Sequence, residues 1–66
     1  MILKLTNAAV NYQAKPILIN TDHIISIFED EIDEKPVTII YSMTKETWHV
    51  EETVNTIYNQ IKRSTI

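Results

Sequence analysis

Not one of the 66 residues is glycine. Glycine enters left-handed backbone conformations without a Cβ penalty, so a chain lacking it must build every reversal from ordinary side chains or from Asn and Asp. The same absence removes the Gly-rich loops that cradle phosphates, and with them the P-loop and the dinucleotide fingerprint in their usual forms. Direction must therefore change at clusters of short polar residues, and the apolar pattern between those clusters sets the fold.

Residues Ile2 to Thr6 alternate, with Leu3 and Leu5 on one side and Ile2, Lys4 and Thr6 on the other, the period of a strand. The asparagines of Asn7-Ala8-Ala9-Val10-Asn11 predict a turn. Tyr12 to Asn20 reads as a second strand, with Pro16 at an edge or an irregular point because it cannot donate to a ladder. Asn20-Thr21-Asp22 breaks the alternation and predicts a tight corner or a single helical turn. Strand character resumes over Ile24 to Glu29, with Ile25 and Ile27 facing opposite to Ile24, Ser26 and Phe28. It ends in an acidic loop, Glu29 to Glu34, five of whose six residues are acids, closed by Pro36. Val37 to Tyr41 is rich in β-branched and aromatic residues and predicts a fourth strand. Ser42-Met43-Thr44-Lys45 reverses the chain, and Glu46 to Val50 alternates again as an antiparallel partner of that strand.

From Val54 the period changes: Val54, Ile57, Tyr58 and Ile61 stand at i, i+3, i+4 and i+7, the stripe of a helix packed on one face. Thr53 is the natural N-cap, and Thr56 stands where a capping box would place Glu or Gln. Glu51 and Glu52 precede the positive end of this helix, and Lys62 and Arg63 lie at its negative end. The expectation is one α+β domain spanning the 66 residues: an antiparallel meander of about five short strands followed by one C-terminal amphipathic helix.

A chain of this size hides only about 60% of the surface its unfolded form exposes. Ordering it costs roughly 1.5 kcal/mol per residue. With no cysteine to staple it, homo-oligomerisation or a partner protein is the expected remedy. The N-terminus runs straight into a strand pattern rather than a signal-peptide core, and no apolar run exceeds three residues, so a cytoplasmic protein with no membrane segment is expected. His23 and His49 stand beside no recognisable nucleophile, and one histidine with flexible carboxylates lacks the spacing of a metal site. No catalytic residue, metal or cofactor is expected, and the chain reads as non-enzymatic.

Self-association through Trp48 and Tyr41 is the leading interaction reading. The runner-up is a nucleic-acid-associated regulator. A third is a small acidic inhibitor of phage type, docking Glu29, Asp30, Glu31, Asp33 and Glu34 on a basic partner; the same acids also suit a solvated hairpin tip that discourages edge-to-edge aggregation. Lys4, Lys15, Lys35, Lys45, Lys62 and Arg63 are scattered in a chain of net charge -3, which speaks against an electrostatic footprint for nucleic acid.

The opening Met1-Ile2-Leu3-Lys4-Leu5-Thr6, the corner Ile19-Asn20-Thr21-Asp22-His23-Ile24, and the stretch Trp48-His49-Val50-Glu51-Glu52-Thr53-Val54 leading into Ile57 and Ile61 resemble the small flagellar FlbD family. The resemblance implies a shared fold and no catalytic residues. The family places glycine in the first turn and before the last strand, where this chain has Asn7-Ala8-Ala9 and Ser42-Met43-Thr44-Lys45. A small phage or mobile-element protein of the same build fits equally well.

Overall fold

The alternating segments become strands and the 3.6-residue period a helix in the computed structural model, which describes residues 1–9 and 13–64. The strands are β1 (Ile2–Thr6), β2 (Pro16–Asn20), β3 (Ile24–Ile32), β4 (Lys35–Ser42) and β5 (Thr47–Val50), and the helix is α1 (Val54–Ser64). The architecture is α+β, as expected. β1 and β2 form an antiparallel hairpin, and β3, β4 and β5 form a three-stranded antiparallel meander. The two sheets meet where Asn7 bridges Val50: Ala8 N–H donates to the His49 carbonyl (2.8 Å) and Glu51 N–H to the Thr6 carbonyl (2.9 Å). Across that junction the order runs β2-β1-β5-β4-β3, with β2 and β3 at the edges.

Strand alternation supplies the core. Leu3, Leu5 and Ile19 from the hairpin meet Ile40 and Val50 from the meander, and Ile57 of α1 covers them. Ile17, Ile24, Ile27, Trp48 and Ile61 pack around this cluster. Among the described residues no helix is long and apolar enough to cross a membrane.

Several boundaries differ from the sequence expectation, each for a local reason. β2 starts at Pro16 rather than Tyr12, so proline takes the first position of the strand, where its missing N–H is tolerated; Tyr12 lies outside the described residues, as do Val10 and Asn11 of the first turn. The corner is a 3₁₀ turn over Thr21–His23, capped by the Asn20 side chain, which accepts from Asp22 N–H at 3.0 Å. In β3 the register shifts between Ile24 and Ser26, leaving Ile25 as the extra residue of a bulge. Ile24 and Ile27 therefore both pack on the core while Ile25 is exposed, overturning the simple alternation that set them on opposite faces.

The acidic segment is not a loop closed by Pro36. Glu29, Asp30, Glu31 and Ile32 continue β3, and Pro36 lies within β4 opposite Glu31. Only Asp33 and Glu34 turn, with φ of 53° and 66°. Two positive values in a two-residue connection are those of a type I′ hairpin, whose twist matches the flanking strands.

Thr53 caps α1 as expected, its Oγ1 accepting from Thr56 N–H at 3.1 Å and donating to Thr56 Oγ1 at 2.9 Å. Tyr58 does not share the buried stripe: it is 59% exposed, with the Lys62 ammonium 5.9 Å from its ring centroid, while Ile57 is buried and Val54, Gln60 and Ile61 are half-buried.

Lacking glycine, the chain places Ala14, Asp33, Glu34 and Lys45 at positive φ. Lys45, at 67°, closes the β4–β5 turn, which the buried Ser42 organises. Ser42 Oγ accepts from Glu46 N–H (3.0 Å), Ser42 N–H donates to the Glu46 carbonyl (2.9 Å), and the Ser42 carbonyl accepts from Lys45 N–H (3.1 Å). A left-handed residue with a Cβ costs about 1–2 kcal/mol. Glycine gives back about 0.5–1 kcal/mol of that in lost unfolded-state freedom. Lys45→Gly and Glu34→Gly are each expected to stabilise the domain by about 0.5–1 kcal/mol, read from urea unfolding midpoints. No gain at either position would mean these backbones are not held left-handed in solution.

Candidate functional site

In the antiparallel meander, directly opposed residues share a face. Ile27, Ile40 and Trp48 fall in one row on the inner face, toward the core. Phe28, Ile39 and His49 form the adjacent row on the outer face, and Ser26, Tyr41 and Thr47 the next outer row. Phe28 is 45% exposed, Tyr41 is 38% exposed, and Ile39 and His49 are half-buried. Together they make an open strip of aromatic and aliphatic surface on the back of the sheet.

Period-2 geometry thus divides the two aromatic candidates. Tyr41 lies on the outer strip, whereas Trp48 turns inward, half-buried, and packs against the core cluster. They cannot belong to one flat interface. His49 points away from Trp48, as the alternation requires.

The acids are divided as well. Glu29 lies on the inner face, where its Oε1 accepts from Val54 N–H at 3.4 Å, placing negative charge at the first amide of α1. Asp30 lies on the outer face, and its Oδ1 accepts from Glu31 N–H at 2.8 Å. Glu31 is inward and opposite Pro36, and Asp33 and Glu34 form the turn. All five are exposed, yet only Asp33 and Glu34 sit side by side at the tip, so the sequence run does not become a single acidic patch.

Phe28 and Ile39 were not singled out by sequence reasoning. Ile39 was legible in principle, since Val37, Ile39 and Tyr41 share parity against Thr38, Ile40 and Ser42. Phe28 was obscured by the bulge at Ile25, which resets the phase of β3 and gives no sequence signal. Glu52 stands just ahead of α1, and its carboxylate also accepts both from Thr6 N–H (2.9 Å) and from Thr6 Oγ1 (2.9 Å), a tie to the end of β1 that no local pattern announces.

Farther along the outer face, Val37 is buried and shares a cleft with Ala8, Ala9, Ile32, His49 and Glu51. No buried side-chain nitrogen or oxygen among the described residues lacks a hydrogen-bond partner, so none is left aimed into this cleft. Among the described residues no group of three or more His, Cys, Asp or Glu could hold a metal ion. His23 sits exposed in the 3₁₀ turn, its carbonyl accepting from Met43 N–H at 2.8 Å. Compared with known proteins, the chain matches no family model, no curated protein and no solved structure.

Proposed function

We propose that this chain is a small non-enzymatic protein-interaction module of the cytoplasm that associates with itself, sharing the fold of the FlbD-like proteins its sequence resembles. The observation that carries the reading is the open strip of Phe28, Ile39 and Tyr41 beside the exposed strand β3. The core cluster holds six buried side chains among the described residues, and covering the strip removes further apolar area from water. For a small domain without disulfides, oligomerisation is one route to added stability.

Linkage supplies the test, because a fold stabilised by its own association melts at a temperature that depends on protein concentration. The thermal midpoint is expected to rise by several degrees between low-micromolar and submillimolar protein. A midpoint unchanged over that range would sink the reading.

A further inference from the structure

Self-association leaves open which surface two copies share, and the free edge of β3 is marked in a way that selects one register. β3 is nine residues long and, among the described residues, pairs with β4 alone. The pair closing a two-residue turn is hydrogen-bonded, and bonded and non-bonded pairs alternate along an antiparallel ladder. Ile32–Lys35, Asp30–Val37 and Phe28–Ile39 therefore exchange bonds, while Ile27, Glu29 and Glu31 direct their N–H and C=O groups away from β4. Two details agree. Pro36, which has no N–H, lies opposite Glu31, and Glu31 N–H is held by the Asp30 carboxylate.

The bare part of the edge is bounded on both sides. Toward the N-terminus the bulge at Ile25 interrupts it, and toward the C-terminus the Glu31 amide is already occupied. Between them lie the outward groups of Ile27 and Glu29, symmetric about Phe28.

The geometry points to a two-fold dimer in which β3 of one copy pairs antiparallel with β3 of a second copy about Phe28. This deepens the self-association reading and rests on it. Ile27 of each copy then exchanges hydrogen bonds with Glu29 of the other, Ser26 faces Asp30, and the two Phe28 residues form a non-hydrogen-bonded pair with Cα atoms about 4.5 Å apart. The acids of β3 all follow Phe28, so no carboxylate directly opposes another. A centre at Glu29 sets acid on acid, parallel in-register pairing lines up every acid with its copy, and a centre at Ile27 needs the irregular Ile25 as the partner of Glu29. The charges that discourage open-ended edge association thus leave one closed pairing available. It also joins the two outer strips, with the Phe28 pair at the centre and Ile39 on either side. The opposite edge, β2, is short and begins with Pro16, which blunts it.

Because the chain has no cysteine, single cysteine variants read the register directly. Under mild oxidation Phe28→Cys is expected to form a disulfide-linked dimer, whereas Ser26→Cys, which would face Asp30, is expected to remain largely without a cross-link. Glu29→Pro removes an outward N–H while sparing the β4 ladder, and is expected to yield a folded monomer. Glu29→Ala keeps that amide and is expected to stay dimeric. If the proline disturbs folding, the cysteine pair decides. Equal cross-linking at both cysteine positions, or a dimeric Glu29→Pro, overturns the edge pairing while self-association stands. A wild-type chain that is monomeric throughout overturns both.

Discussion

Ile57→Ala is expected to leave much of the chain unfolded at room temperature. Ile57 is the fully buried residue of α1 and closes the cluster formed by Leu3, Leu5, Ile19, Ile40 and Val50. Truncating a buried isoleucine to alanine costs about 2–5 kcal/mol, from lost transfer energy and the cavity left behind. A domain of this length has about 3–10 kcal/mol in total at the usual 0.05–0.15 kcal/mol per residue, so the loss is comparable to the whole. Ile57→Val removes one methylene and is expected to cost only about 0.5–1.5 kcal/mol. Urea unfolding followed by far-ultraviolet dichroism checks both. Equal small losses for the two variants would mean that α1 does not seal this core.

Glu52→Ala is expected to cost about 2–3 kcal/mol, a large effect for a residue outside the apolar core. It removes both charge-assisted acceptors of Thr6, the backbone N–H at 2.9 Å and Oγ1 at 2.9 Å, and leaves a partly buried N–H unpaired at the end of β1. Glu52→Gln retains one carbonyl oxygen and is expected to lose roughly half as much. A double-mutant cycle makes the partnership explicit: Thr6→Ala is expected to be costly in the wild-type background and nearly neutral once Glu52 is alanine. Additive losses would indicate that the two residues act independently.

Sequence alone made most of the fold legible, and the reasons lie in particular residues. Alternation at Leu3 and Leu5, the β-branched run from Val37, and the change of period at Val54 each follow from side-chain direction in strands and helices. Asn20 and Thr53 announced the 3₁₀ turn and the helix start because short polar side chains bond nearby amides. The acidic run was misread for an equally physical reason. Charge disfavours burial, but it does not prevent an exposed edge strand, so Glu29, Asp30 and Glu31 stay in β3 while two residues make the turn. The bulge at Ile25 and the long-range bond of Glu52 to Thr6 arise from tertiary register, which no local pattern encodes. The outer strip was partly visible at Tyr41, but its other half, Phe28, depends on that bulge.

The acids of β3 and the missing glycines meet in one hairpin. A type I′ turn built from Asp33 and Glu34 instead of an Asn-Gly or Asp-Gly pair is strained, yet it keeps two more charges at the end of the exposed edge. On the proposed reading, the strain at Asp33 and Glu34 comes with charges that limit what the edge can pair with. An edge guarded in its C-terminal half and bare around Phe28 suits closed association between two copies better than open growth.

Sedimentation equilibrium of the wild-type chain over rising concentration tests the proposed self-association most directly. The expected result is a mass that climbs from 7.7 kDa toward twice that value and stops there. A mass fixed at 7.7 kDa at every concentration would contradict self-association, and growth past two copies would contradict its closed form.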